Sequence, residues 1–431
     1  MAALQEVFGI STNPVQSYVE RKEVDKTFSD ALTSHQHIVV YGSSKQGKTA
    51  LRQKHMREDQ CTVVRCGLNT SIETIYQAIL RDSGVKLEVF ETKESGFTGT
   101  TKAKWGFKAM LSWVGSTEVE GEVSVEASKQ RTIQSEYVGH DLADAQSIIE
   151  LLLSAKYNKF IVLENFHYLT DEVQRSLAFD LKSFHEVGIR FLVLGIWQEA
   201  NLLLLYNGDL EARIVEIPVE PWSDIDFNRV IMKGADILNI EIPASSISAF
   251  IDNAYGNIGM LQEFLRVYCR FNNVEGSEQS KRVLENGDKV EDTFDYKLES
   301  QRGRLRQVLE GIAGKSRTDG NAPLILPYYL VKVLLSTPIS ELQTGIRRQD
   351  LLEKVRAVHH RTEKETIRSN DIVHLLKRLP AHQIDIQPPL LHYDANQQRL
   401  KVVDTSQFFS LARIDRNELL DEIPNPLEIY E

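Results

Sequence analysis

The chain has 431 residues, 42 % of them apolar, which is enough for two or three separately packed domains. A formal charge of −11 argues against a surface that coats nucleic acid indiscriminately, and Cys61, Cys66 and Cys269 form neither an evenly spaced disulfide framework nor a metal site with a histidine pair. The first 12 residues carry Glu6 and no basic stretch leading into a long apolar one, and no run reaches the roughly 18 apolar residues of a membrane span, so neither a secretory signal nor a spanning helix is expected and a cytoplasmic location is.

Residues 37–41 read His-Ile-Val-Val-Tyr, an apolar strand. Directly after it stand Gly42, Ser43, Ser44, Lys45, Gln46, Gly47, Lys48 and Thr49, the pattern G-x-x-x-x-G-K-[ST] of a phosphate-binding loop, with Ala50 in the helix expected over 48–56. Glycines let such a loop curl so that successive backbone N–H groups face the phosphates, while the helix behind it aims its positive dipole end at them. Lys48 is expected on the β- and γ-phosphates and Thr49 on Mg²⁺.

Strand signals follow at 62–66, 160–164, 191–195 and 213–217, and helical periodicity at 71–82, 141–155 and 171–186. This alternation predicts an α/β fold, a parallel sheet sandwiched by helices as in P-loop NTPases. Strand 62–66 comes between the loop and the next acid-tipped strand, an order typical of P-loop ATPases with an extra intervening strand. That acid-tipped strand, 160–164, ends in Glu164, the candidate second ligand for the Mg²⁺ held by Thr49. Residues 88–140 exceed what the fold needs and read as an insertion. Its first half, 102–114, interleaves lysines with Trp105, Phe107 and Trp113, and residues 118–126 alternate acid with valine like an exposed strand. A protruding hairpin contacting another subunit or a protein partner is the economical reading, with single-stranded nucleic acid and a membrane surface as the open alternatives.

After Trp222 a helical segment, 224–275, reads as a small lid, and 276–321 as a linker helix with a Gly-rich loop from Gly311. From 322 to 431 the pattern gives helices at 326–335, 348–359 and 369–378, then a hairpin from 388–393 and 399–403. Three helices and a hairpin in that order suggest a winged helix, with 370–378 as recognition helix carrying His374, Lys377 and Arg378, and 396–399 as the wing. The core itself spans 1–223.

These motifs resemble the AAA+ and STAND P-loop ATPases, in particular initiator-type and transposition-regulator proteins. Residues 160–169, Phe-Ile-Val-Leu-Glu-Asn-Phe-His-Tyr-Leu, are similar to their "apolar strand, Asp, Glu, Ala, His, x, Leu" segment. The resemblance puts Glu164 in the place of the metal Asp and Asn165 in that of the catalytic Glu. Asn can position a water but cannot take its proton, so slow or absent hydrolysis is expected unless Glu164 or a partner supplies the base. It further implies Arg21, in an entry segment at 18–23, near the adenine; Ile196 and Trp197 where a polar sensor usually meets the γ-phosphate; and Arg213 facing a neighbouring subunit's nucleotide, the alternative for Arg213 being an internal ion pair. Residues 255–261 resemble the turn opening the lid's sensor helix, with Arg266 as a distant substitute for its arginine. The resemblance implies an ATP- and Mg²⁺-dependent switch with weak ATPase activity, associated with DNA through the winged helix. The alternative is a STAND-type signalling or defence ATPase that oligomerises and contacts a protein partner. An ATP-driven remodeller is a third reading, disfavoured by Asn165.

Overall fold

Five short runs of mostly apolar residues assemble into one parallel sheet, in the order Cys61–Arg65, Phe160–Glu164, Phe191–Gly195, His37–Tyr41, Ile214–Pro218. The computed structural model describes the chain except residues 12, 95–101, 111–136, 141–142, 198–200, 286, 317–323, 384–385, 387 and 428–431, and describes 86–94, 102–110 and 137–140 by their backbone alone. Val39, Leu163 and Val193 enter a core built with the helices Ile72–Asp82, Ala145–Ser154 and Asp171–Glu186. Their neighbours Ile38, Val162 and Leu192 enter a second core on the opposite face, closed by Phe28 and Leu51. Both faces are covered, which is why the three central strands read as unbroken apolar runs instead of alternating ones.

In a sheet of this kind every strand ends on the same side, and that edge is where ligands bind. Tyr41 pairs with Gly195 in the last register position, so the loop after Tyr41 opens on the same sheet edge as the tip of Phe160–Glu164, one strand away. Strand order differs from chain order here. The strand between the P-loop strand and the acid-tipped strand is Phe191–Gly195, and Cys61–Arg65 forms the outer edge, because helical crossovers free parallel neighbours from sequence adjacency.

The insertion forms a separate antiparallel sheet: Lys86–Glu94 pairs with Lys102–Met110, which pairs in turn with Tyr137–His140. The basic-aromatic strand is therefore the middle one and ends at Met110; the acid-valine run at 118–126 lies outside the described residues.

Three helices, Asp224–Leu238, Ala244–Ala254 and Ile258–Phe271, pack around Phe250, Phe264 and Tyr268. The N-terminal segment belongs to the same core. Phe8 lies so close to Gly234 that an added Cβ there would stand 2.2 Å from its ring. The following helix, Asp288–Ala313, buries Val290 and Phe294 in this core and Leu305, Leu309 and Ile312 in the C-terminal one. It thus runs through Gly311, where the composition suggested a loop, because tertiary burial of Ile312 outweighs a glycine penalty of about 1 kcal/mol.

The C-terminal part orders the helices Leu326–Ser336, Ile339–Thr344, Arg348–Val358 and Ser369–His382 before the hairpin of Leu391–Asp394 and Arg399–Val402. Ile346–Arg347 adds a third strand against the hairpin, and Gln407–Arg413 returns to the lid, where Phe409 packs 4.9 Å from Phe264 and 5.8 Å from Phe294 between ring centroids. Among the described residues no helix is long and apolar enough to cross a membrane.

Candidate functional site

Gly42 opens the loop at φ 146°, and a Cβ there would stand 2.7 Å from Val219 Cγ2. Gly47 closes it at φ 86° as the cap of the helix Lys48–His55, so both glycines are required by backbone shape, Gly42 by space as well. Lys45 between them also takes a positive φ of 61°, which a side-chain-bearing residue rarely holds without support. The support comes from the lid: Gly259 N–H donates to Lys45 O at 3.1 Å, and a Cβ on Gly259 would stand 2.4 Å from Lys45 Cβ.

Lys48 Nζ donates to Gly42 O at 2.9 Å and Ser43 O at 2.6 Å, folded against its own loop. Burial pushes its pKa down to about 8, opposed by the Glu220 carboxylate. An anion beside the ammonium would relieve that desolvation. Thr49 is exposed at the helix start.

Glu164 stands at its strand tip with Oε1 3.4 Å from Arg52 Nε and Oε2 3.5 Å from Arg65 Nε. Neither Glu164 Oε1 nor Arg52 Nε makes a hydrogen bond, although both are buried. Asn165 follows in the left-handed conformation at φ 60°, exposed on the same edge; Asn tolerates that region better than most residues. His167 Nδ1 accepts the Ile196 N–H at 3.2 Å, while its Nε2 is buried without a partner. Burial, reinforced by the Lys48 charge, lowers its pKa to about 4, so the ring is neutral at pH 7.

Lys48, Thr49, Glu164, Asn165 and His167 line a cleft of about 300 Å³. Apolar walls are added by Ile10, Pro14, Val15, Val19, Trp222 and Ile258 from the N-terminal segment, the post-sheet loop and the lid. A curled loop together with apolar walls suits a nucleotide's phosphates and base.

Arg21 does not line the cleft. It is buried behind it, donating from Nη1 to Val219 O at 2.6 Å with its guanidinium 3.9 Å from the Trp222 ring, so it props the wall. Arg213 donates from Nη1 to Asp209 O, and its own carbonyl accepts the His37 N–H at the start of the P-loop strand, the opposite end of the sheet from the loop. The contact it makes is internal, to a backbone carbonyl. Arg266 pairs with Glu263 at 3.0 Å, away from the cleft wall.

Two participants carry no local sequence signal. Glu220 accepts from Ser43 N–H at 2.9 Å, Ser43 Oγ at 3.0 Å and Gln46 Nε2 at 2.5 Å, bracing the loop. Thr405, from the C-terminal part, accepts at Oγ1 from Asn257 Nδ2 at 2.8 Å and Gln46 Nε2 at 3.3 Å. Asn257 Nδ2 also donates to Ser44 O at 3.2 Å, and its Oδ1 caps the lid helix by accepting from Met260 N–H. Loop, lid and C-terminal part therefore share one hydrogen-bond network. Only contacts between residues more than 140 positions apart create it, so no motif could announce it.

No family model matches the chain, and no curated protein matches it either. Among solved structures, the Walker-type ATPase of Pyrococcus abyssi superposes with a TM-score of 0.53 at 14 % identity, covering 92 % of this chain and 96 % of that one. The chain has the P-loop NTPase fold. Weaker likenesses are to the Orc1 protein of Aeropyrum pernix, solved in complex with DNA, at 11 % identity with a TM-score of 0.42 over 96 % of this chain and 95 % of that one. Cdc6p from Pyrobaculum aerophilum follows at 12 % identity and 0.39, over 98 % and 100 %. At 14 % identity the first likeness establishes the P-loop ATPase fold and nothing about substrate, and the weaker two support no inference.

Proposed function

We propose that the chain is an ATP- and Mg²⁺-binding regulatory ATPase, a switch in which occupancy of the loop is transmitted to the C-terminal part. The observation that carries this reading is the Gln46, Asn257 and Thr405 network: the loop that would hold the phosphates is hydrogen-bonded to the lid and to the C-terminal part. The residues present fit the ligand. Lys48 holds its ammonium at the loop carbonyls of Gly42 and Ser43, and Glu164 Oε1 and His167 Nε2 lack hydrogen-bond partners at the cleft. Lys48 and the loop N–H groups would hold the phosphates, with Thr49 and Glu164 as the magnesium ligands. Magnesium, when bound, neutralises charge on the β- and γ-phosphates.

Slow hydrolysis belongs to the same reading. Asn165 cannot accept a proton, and Glu164 is already engaged in ion pairs with Arg52 and Arg65. For the output, the proposal is duplex DNA contacted by a winged-helix-type C-terminal part: Asn370, His374, Lys377 and Arg378 are exposed along one side of Ser369–His382. One observation favours the second reading, a protein partner. In the hairpin Arg399 is bound to Thr344 O and Gly345 O, and Lys401 to Asp394, so the exposed turn at 395–398 is uncharged. Calorimetry with Mg²⁺ and ATP tests the core of the proposal: micromolar binding by the wild type, lost in Lys48→Ala, is expected, and no uptake by the wild type overturns it.

A further inference from the structure

The strand Phe191–Gly195 delivers Ile196 to the cleft, where its side chain offers no hydrogen-bond donor; Trp197 is buried in the core, stacked on Tyr41, with its indole N–H making no hydrogen bond. A donor on that side would let the protein tell a triphosphate bound on the loop from a diphosphate. His167 supplies one. Its Nδ1 accepts the backbone N–H of Ile196, which fixes the tautomer: the ring proton sits on Nε2. The ring packs against Tyr168 with centroids 4.2 Å apart, so its orientation is held by packing on one side and by the Ile196 N–H on the other. His167 lines the cleft together with Lys48, Glu164 and Asn165, and its Nε2 is buried and unpartnered. An unpaired buried donor costs about 1–3 kcal/mol and is seldom left so without a ligand to meet.

We propose that His167 is the γ-phosphate sensor of this site, its Nε2–H donating to the terminal phosphate and so replacing the polar side chain that Ile196 and Trp197 do not provide. The inference rests on the nucleotide-binding reading above and adds which residue distinguishes ATP from ADP. The neutrality of the ring supports it: burial and the nearby Lys48 ammonium keep the second proton off, so Nε2–H is a constant donor through the physiological range and not a titrating one. The backbone link to Ile196 also ties the sensor to the neighbouring strand end, so a shift of the ring toward a phosphate is felt by the segment after Gly195.

The test compares Mg²⁺–ADP with a non-hydrolysable ATP analogue by calorimetry on the full chain. The wild type is expected to prefer the analogue. In His167→Ala that preference should fall about tenfold, the scale of one hydrogen bond to a charged group, while ADP affinity stays within about twofold. His167→Gln, whose amide N–H reaches the same place, should retain most of the preference, and thermal melting checks that both variants fold. An unchanged analogue-to-ADP ratio in His167→Ala overturns the sensor assignment alone. An equal loss for both nucleotides, or equal losses in the Ala and Gln variants, assigns the residue to packing and also overturns it. Failure of the wild type to bind either nucleotide overturns the nucleotide reading itself, a result distinct from the others.

Discussion

At the residue scale, the proposed slow hydrolysis turns on Asn165. It stands on the cleft edge beside Glu164, where an acid would serve as general base, and a general base contributes on the order of 10²–10⁴ in rate. Asn165→Glu is therefore expected to raise phosphate release at least tenfold over a slow wild type, read in a steady-state assay; brisk wild-type turnover would show that another group removes the proton. His37 gives a separate prediction about pH. Its Nε2 lies 2.8 Å from Leu181 O, Nδ1 accepts Phe191 N–H at 3.0 Å, and burial lowers its pKa to about 4, with the nearby His185 acting in the same direction. The unfolded chain binds this proton below about 6.5 and the folded chain only below about 4, so between those values acid favours unfolding. Melting temperature should thus fall as pH drops from about 6.5 toward 4 and stay flat in this respect above 7. His37→Phe should melt lower throughout but with a shallower slope, because Leu181 O and Phe191 N–H lose their partner along with the titration.

Elements were legible in the sequence wherever a local pattern is enough. The phosphate loop, the five sheet strands and the hairpin follow from apolar runs and glycines whose positions backbone geometry dictates, as Gly42 and Gly47 do here. Positions that depend on distant partners were not legible. Glu220 looks like any acid after a strand, Thr405 like any loop residue, and Phe8 lies in a segment with no strong periodicity, yet each is fixed by residues more than 140 positions away. Arg21, expected near the adenine, stacks behind Trp222, a residue of the cleft wall, and is not itself among the cleft-lining residues. Two elements invite direct tests. Lys377 and Arg378 are exposed on the same helix, and if they meet phosphates, replacing both by Ala should reduce the salt-dependence slope of duplex DNA binding by about two. An unchanged slope would move the output to a protein partner. The inserted sheet lies apart from the central sheet in hydrogen bonding, so deleting residues 88–140 is expected to leave nucleotide affinity intact while reducing oligomer size in light scattering. A deletion that leaves the assembly unchanged would remove the insertion from any subunit contact.

Across the whole molecule, the sheet, the lid and the C-terminal part are linked at the loop. The helix Asp288–Ala313 is continuous from the lid core into the C-terminal core, and Phe409 joins the lid aromatics, so lid and C-terminal part are coupled by packing as well as by Thr405. Under the proposed switch, a packed interface of this kind would move between discrete arrangements, and a small shift at Gln46 or Asn257 would be passed to the C-terminal part. The ligand can bias that equilibrium only by the difference in its affinity for the two arrangements. Hydrogen exchange at the backbone of residues 403–413, compared with ATP and with ADP in the presence of Mg²⁺, measures this coupling most directly. The switch predicts that ATP changes protection there as well as on the loop, and that Lys48→Ala abolishes both changes; protection gained on the loop while 403–413 stays the same in ATP and ADP would contradict it.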